Sequence, residues 1–580
     1  MSGFLKKDFL GVAVLGTIIC GLFFAVNASS EESGIIEQWT IFETAFESTK
    51  HYENPVQDVR LKVEFTPVLS CPCLRRGKLV PAEAGSKNGG SKRTILAFWD
   101  GARTWRVRFS PDEPGRWTYQ TSCSDKDNKG LHNQTGSFQC KKYEGRLALF
   151  KHGELQLAKN RRYIEHADGT AFFWLADTVW CGPLLSDFKD WQVFLKDRVE
   201  KDFTAIQFVL TQWRMTPTDA DGNPTFTGKE RISVNPAFFQ RMDKYVDAIN
   251  EAGLVAVPVL LWAIQGDTNP GYYLPEDQKI VLAEYMIARY GAHQVVWFLG
   301  GDGNYSGENA ETWKRVGHAV FNKDQHRLAT MHVRGKSWVG EEFRNEPWYS
   351  FIGYQSGHGD DEKTFRWLNQ GPPATEWSSE PNLPVINIEP NYEAHNGYTY
   401  RKVHTDHSVR RAAYWSLLVS PTAGVTYGGQ GIWGWHTKVQ APADHVRSGL
   451  GSPWYIAKDL PGAFSMKYLH QFFKSIEWWR LVPAPEILIE QPGEKDASKF
   501  IAAAESKEGD LVVVYLPEGG SVTIKTDHLK RGSIARWYHP RTGGWLDAGK
   551  VEKTPQTFEA SDRNDWVLLL KTESQIGNRK

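Results

Sequence analysis

From about Leu147 to residue 478 the chain alternates short, nearly continuous apolar runs with longer segments whose apolar positions recur every three or four residues. "AFFWLADTVW" precedes "DWQVFLKDRVEKD", "TAIQFVLTQW" precedes "NPAFFQRMDKYVDAINEAG", and "LVAVPVLLW" precedes "EDQKIVLAEYMIARYG". "VVWFLGGD" with "ETWKRVGHAVFNKDQ", "LATMHV", "YSFIGYQS" with "EKTFRWLNQG", "PVINIEPNYE" with "HSVRRAAYWSLLVSP", and "AGVTYGG" with a last helical stretch near 461–478 complete the series. Strands with no alternating polar position are buried on both faces, as in a parallel sheet covered by helices. Eight of them predict a closed (β/α)8 TIM barrel rather than an open sheet, and we assign it to residues 146–485.

The pattern differs on either side. Before the barrel, "DVRLKVEF", "TILAFWDG", "TWRVRFSP" and "GRWTYQTSC" alternate with a period of two between Gly, Pro and Asp turns, which predicts a β-sandwich over 35–145. After it, "KFIAAAES", "DLVVVYLPEGGSVTIKT", "IARWYHPRTGGWLDAG" and "DWVLLLKT" predict a second small β-sandwich over 486–575, with "PEGGS" and "YHPRTGGW" as hairpin turns. The fold class is therefore a multidomain α/β plus all-β chain, a TIM barrel flanked by two β-sandwich domains. The first residues are different again: Lys6 and Lys7, an apolar run from Leu10 to Val26, then small residues ending at Ala28. That order predicts a signal peptide over 1–28 and an exported protein, with an uncleaved N-terminal anchor as the alternative.

Charge narrows the partners. Lys plus Arg and Asp plus Glu are each 68, so no basic field invites nucleic acid. Aromatics are 13% of the chain, with 24 Trp; most belong to large cores, and exposed indole rings suit sugar faces. Export permits disulfides, and Cys123 with Cys140 brackets a stretch that a bridge could close, with free, partly buried thiols as the equal alternative. "CPC" at 71–73 is too tight for a zinc pair, and His332, His358 and His404 have no tight ligand spacing, so neither metal nor cofactor is expected. Nothing in the pattern specifies an oligomer.

Catalytic groups of a TIM barrel project from the C-terminal ends of its strands. Those ends are polar and aromatic nearly all round. Asp177 and Trp180 follow strand one, Gln212, Trp213 and Arg214 strand two, Trp262 strand three, Asp302 and Asn304 strand four. His332 and Arg334 follow strand five, Tyr354, Gln355 and His358 strand six, Glu389 and Tyr392 strand seven, Tyr427 and Trp433 strand eight. Asp302 and Glu389 come from opposite sides of the mouth and can face each other across a substrate. Hydrolysis of a glycosidic bond needs such a pair, one acid for the leaving oxygen and one carboxylate for attack. Glu393, four residues after Glu389, is the rival for the second place. Asp177, Gln212, Arg214, His332 and Gln355 are expected to bind sugar hydroxyls, and Trp180, Trp262, Tyr392 and Trp433 to offer apolar ring faces. Gly300 and Gly301 are expected to let the chain turn sharply before Asp302.

"HADGTAFFWLADTVW", "WFLGGDGN" and "INIEPNYE" resemble the barrel of the apiosidase-like hydrolases, glycoside hydrolase family 140 and its relatives. "FWDGARTWRVRFSPDEPGRWTY" resembles the β-sandwich that precedes such barrels, and "VVYLPEGGSVTI" with "ARWYHPRTGGW" is similar to a C-terminal collagen-binding-type β domain. The resemblance implies a retaining glycoside hydrolase, with Asp302 at the acid/base position and Glu389 at the nucleophile. One departure stands out. Larger barrel glycosidase clans place Asn-Glu after strand four where this chain has Gly301-Asp302, so a carboxyl one methylene shorter must approach from a different backbone position. The alternatives are a noncatalytic carbohydrate-binding protein on the same scaffold and an extracellular adhesion protein; the Asp302 and Glu389 pair favours the enzyme.

Overall fold

The computed structural model describes residues 32–68, 74–75, 78–79, 91–321, 327–552 and 554–572. The N-terminal apolar run, Cys71 and Cys73 lie outside the described residues. At the centre are eight strands: β1 (Trp174–Thr178), β2 (Ala205–Val209), β3 (Val255–Trp262), β4 (Trp297–Gly303), β5 (Ala329–Val333), β6 (Ile352–Tyr354), β7 (Val385–Asn387) and β8 (Gly424–Gly428). They run parallel in the order β5-β4-β3-β2-β1-β8-β7-β6. The two ends meet through a parallel bridge from Ala329 to Tyr349 and the bond from Thr330 Oγ1 to Phe351 O at 2.6 Å, which close the sheet into a TIM barrel. Every residue of these eight strands is buried except Asp302. That accounts for their unbroken apolar spelling, because one side of each strand fills the barrel and the other meets helices.

The helices present one apolar stripe each. In Pro236–Glu251, Phe238, Phe239, Met242, Tyr245, Val246 and Ile249 are buried at helical spacing, and Asn235 caps the N-terminus by accepting from Ala237 N–H. Thr405 and Ser408 form a reciprocal capping box at the start of Asp406–Leu418.

The flanking regions are β-rich. In the N-terminal region a five-stranded and a three-stranded sheet enclose Phe42, Phe65, Phe109, Trp117 and Phe138. Strands Gly115–Cys123 and Thr135–Lys141 pair antiparallel with Cys140 opposite Gly115, eight residues from Cys123 along the same strand. At about 3.4 Å per residue the two thiols are too far apart to bridge, and both are buried and free, so the expected disulfide is absent. The C-terminal region is a six-stranded antiparallel sheet, Leu481–Pro483 to Gly544–Lys550 at its edges, with a separate two-stranded ribbon.

Buried ion pairs fasten both regions to the barrel. Arg108 of the N-terminal region and Arg289 of a barrel helix each bind Asp243. Burial would lift the Asp243 carboxyl, but the two guanidiniums outweigh that effect and hold it well below the usual range. On the other side Arg410 makes a bidentate pair with Asp565 at 2.6 and 2.9 Å, while Tyr515 donates to the same carboxylate and stacks on Tyr414 at 4.6 Å. Asp565→Ala leaves the buried Arg410 with only its pair to Asp406 and is expected to destabilise the fold by about 3 kcal/mol. Truncation of the exposed Lys499 should cost no more than about 0.5 kcal/mol. Calorimetric unfolding of the two variants checks this, and equal stabilities would contradict the docking role.

Candidate active site

The floor of the barrel mouth is set by the end of β4. A Cβ on Gly301 would lie 2.5 Å from the Trp262 ring, and one on Gly300 would lie 2.5 Å from the Tyr305 hydroxyl. Neither glycine has a left-handed backbone. That conformation belongs to Asp302, with φ of 51°, and Asp is among the few residues that adopt it at low cost. The glycines thus supply close approach, and the turn expected of them occurs at Asp302 itself.

The left-handed backbone turns the Asp302 N–H toward the neighbouring strand, where it donates to His332 Nδ1 at 3.3 Å. Nδ1 is then an acceptor, and the ring proton belongs on Nε2. His332 Nε2 lies 2.8 Å from Glu389 Oε2, a short contact off the ideal hydrogen-bond direction. The other oxygen, Oε1, is 3.0 Å from His358 Nε2. One imidazole therefore links the backbone of Asp302 to the carboxylate of Glu389, and a second imidazole clamps that carboxylate from the far side. Trp180 stands edge-on to His332 at 5.1 Å and donates from Nε1 to the Tyr392 hydroxyl at 3.1 Å. Trp262 packs between Trp180 and Trp213, at 5.5 and 4.6 Å.

The two carboxyls titrate in opposite directions. Burial raises the pKa of Asp302 and the charge of Glu389 raises it further, against opposing contributions from His332, Arg214 and His358. Burial pushes Glu389 upward too, but the His332 and His358 imidazoles outweigh it and hold this carboxyl well below the usual range. Such divergence is what a pair needs if one group is to give a proton and the other to carry charge.

Both open into a cavity of about 370 Å³, and all of its lining residues come from the barrel segment between Trp180 and His445. Of the residues expected to bind substrate, Trp180, Arg214, Trp262, Gln355, Tyr392 and Trp433 line it. Three do not. Asp177 is wholly buried, bonded to Arg198 Nε at 2.5 Å, and its pKa is raised to about 6 by burial against the pull of Arg198, so it is a structural ion-pair partner. Gln212 turns back on its own loop, its Oε1 accepting from Thr225 N–H at 3.0 Å. His332 is fully buried and touches Glu389 in place of a sugar. Glu393 also lies outside the cavity, accepting from Tyr427 Oη and Gly462 N–H.

Among the lining groups, the sequence places Trp213 and His358 at strand ends without a substrate role, and it does not single out Lys336, His395, Tyr398 and His445. His358 followed strand six as Glu389 follows strand seven, and that shared position was its signal. His395, Tyr398 and His445 come from long loops with no periodic mark. Arg214 donates to Nδ1 of His445 at 3.0 Å, which leaves Nε2 of His445 as its protonated nitrogen. Burial, aided by nearby His358, drives the pKa of His395 down to about 2, so its ring stays neutral, and with Nδ1 on Asn396 O at 2.7 Å its Nε2 is an acceptor. No group of His, Cys, Asp and Glu among the described residues has a metal-holding arrangement, and no helix among them is long and apolar enough to cross a membrane.

Comparison with known proteins agrees with this architecture. The C-terminal residues 482–571 match the family described as "Putative collagen-binding domain of a collagenase", and residues 82–124 match a domain of unknown function, DUF5060. No curated protein matches the chain. Among solved structures, a glycoside hydrolase is 24% identical with a TM-score of 0.64, covering 73% of this chain and 98% of its own. A glycoside hydrolase family 5 protein from Bacteroides vulgatus is 21% identical with a TM-score of 0.64, covering 73% of this chain and 94% of its own. A structure from the same organism, titled "putative glycoside hydrolase", is 19% identical with a TM-score of 0.66 and covers 93% of this chain and 99% of its own. These likenesses show the fold. The description "Apiosidase-like, catalytic domain" matches residues 158–480, more than half of the chain, and the chain belongs to that family.

Proposed function

We propose that the protein is an exported glycoside hydrolase that cleaves oligo- or polysaccharides by a retaining, two-carboxylate mechanism. The observation that carries this is the pair of carboxyls at the ends of β4 and β7, sharing one cavity and one imidazole, with pKa values displaced in opposite directions. Membership of the apiosidase-like family supports the same reading.

In the first step protonated Asp302 gives its proton to the glycosidic oxygen as the bond from that oxygen to the anomeric carbon breaks. Glu389, held ionised by two imidazoles, attacks the anomeric carbon and forms a glycosyl ester. In the second step Asp302, now a carboxylate, takes a proton from water. The resulting oxygen displaces Glu389 from the anomeric carbon, and Asp302 is again protonated. The Trp180, Trp262 and Trp433 rings offer faces to the sugar, while Arg214 and Gln355 offer directional bonds to its hydroxyls. Export rests on Lys6, Lys7, the apolar run and Ala28, which place the mature N-terminus at residue 29.

Turnover should separate the two carboxyls. Asp302→Asn is expected to slow glycosides with poor leaving groups by about 10²–10⁴-fold and activated aryl glycosides far less. Glu389→Gln should abolish both. Steady-state rates on substrates drawn from a screen of plant, algal and bacterial glycans test this, and full activity of Asp302→Asn on a natural glycoside would refute the acid role. Proton NMR of the first-formed product should show the substrate's anomeric configuration.

Stability should report the same chemistry. Folded Asp302 binds its proton more tightly than the unfolded chain, so it subtracts stability as pH rises above the unfolded value of about 3.9 through its own raised value. Asp302→Asn is therefore expected to melt higher than the wild type near neutral pH, with the difference vanishing below about pH 4. Thermal unfolding between these limits checks it; a difference independent of pH would contradict the raised pKa. N-terminal sequencing of secreted protein should begin at residue 29, and retention of Met1 would reject cleavage.

A further inference from the structure

The cavity wall continues outward onto a turn that the proposed chemistry does not use. Tyr398 lines the cavity yet is 45% exposed, and Tyr400, which does not line it, is 63% exposed. Val403 on the same turn, and Val446 and Leu450 on the facing loop, are at least half exposed as well. Single exposed apolar residues need no explanation, but five on two joined loops at a cavity mouth form a patch.

The turn is also held rigid. Asp360 Oδ1 accepts from the backbone N–H of Thr399 and Tyr400 at 3.0 and 2.9 Å, and Oδ2 accepts from Lys402 N–H at 3.0 Å. One carboxylate thus fills a nest of three backbone donors. Burial would raise the Asp360 pKa, and those donors outweigh it, so the anion persists. Gly397 leaves the room this carboxylate occupies. Asn396 N–H donates to Ser448 O at 2.8 Å and Arg401 to Arg447 O at 3.0 Å, tying the turn to the facing loop. Tyr398 N–H donates to His358 O at 3.0 Å, and its ring stands edge-on to His358 and His395, both at 5.4 Å. The backbone of the exposed turn is therefore anchored to the histidine that holds Glu389.

We propose that this turn is a carbohydrate subsite: Tyr400, with Tyr398 beside it, receives a sugar ring of the same chain whose scissile unit occupies the cavity. The ligand class is an oligosaccharide extending beyond the bond that is cleaved. Tyr suits it because a sugar has an apolar face and a rim of hydroxyls, and the phenol offers both a ring and an Oη. Prior ordering of the turn lowers the entropic cost of binding, since the protein has no loop left to fix. Continuity through Tyr398 distinguishes this surface from a protein-docking patch, which has no need to run into a cavity. The inference rests on the glycoside hydrolase reading and names the length of substrate that site takes.

The test compares Tyr400→Ala, Tyr400→Phe and wild type on an oligosaccharide and on the short aryl glycoside of the same sugar. Tyr400→Ala should lower kcat/KM on the oligosaccharide by roughly three- to tenfold, the size of one aromatic contact, and leave the aryl glycoside unchanged. Tyr400→Phe, which keeps the ring, should recover most of the loss. Equal effects of Tyr400→Ala on long and short substrates would overturn the subsite while leaving the hydrolase reading intact. Binding gives an answer independent of turnover: on an array of plant, algal and bacterial oligosaccharides the wild type should retain glycans that Tyr400→Ala releases. An array on which the two proteins behave alike overturns the proposal, as does sedimentation showing a wild-type dimer that Tyr400→Ala converts to monomer.

Discussion

The imidazole of His332 joins the backbone of Asp302 to the carboxylate of Glu389 in a poorly solvated space where the two carboxyls repel one another. By accepting from the Asp302 backbone and presenting its own N–H to Glu389, it holds the left-handed turn at the end of β4 and favours charge on the carboxyl that follows β7. The two imidazoles lower the pKa of Glu389, while burial and the Glu389 charge raise that of Asp302. With one nitrogen of the buried ring committed to a backbone donor, the other is left to face Glu389. The aromatic packing of Trp180, Trp262 and Phe298 around that ring keeps it in place.

The rest of the molecule keeps that arrangement stationary. Asp302 is the one barrel-strand residue that is not fully buried, and the other polar side chains of the strands, such as Asp177, Gln207 and Thr426, are bonded inside the protein. The two β-rich regions are joined to barrel helices through Asp243 and Asp565, each paired with arginine in the protein interior. The helix that carries Arg410, Asp406–Leu418, follows the β7 loop bearing Glu389, so the C-terminal region braces the element behind that carboxylate. This is a mechanical contribution, since neither region lends a side chain to the cavity.

Much of this was written in the chain. β3 is apolar from Val255 to Trp262, and eight such runs separated by amphipathic helices leave few architectures open. Asp302 and Glu389 were legible because a carboxylate at the end of a buried strand has to be compensated. Asp177 met the same criterion and proved misleading: its partner, Arg198, lies 21 residues later on the outer helix, and only the fold shows that the side chain points there. Gln212 failed for a related reason, being satisfied by Thr225 across a loop. The histidines of the rim were harder still. His395 and His445 reach the cavity on long loops, where neither period nor strand position marks a residue. The Cys123 and Cys140 expectation failed on register, which spacing along the chain does not encode.

The left-handed backbone at Asp302 also limits what can replace it. For most side chains this conformation costs about 1–2 kcal/mol, and Asp and Asn escape much of that cost through short local hydrogen bonds. A glutamate there would meet the backbone penalty while moving its carboxyl one methylene further into the cavity that Trp262 helps to line. Exchange of acid for acid, conservative at most surface positions, is penalised here by handedness, and the longer acid becomes free of that cost only where the end of β4 turns without a left-handed residue.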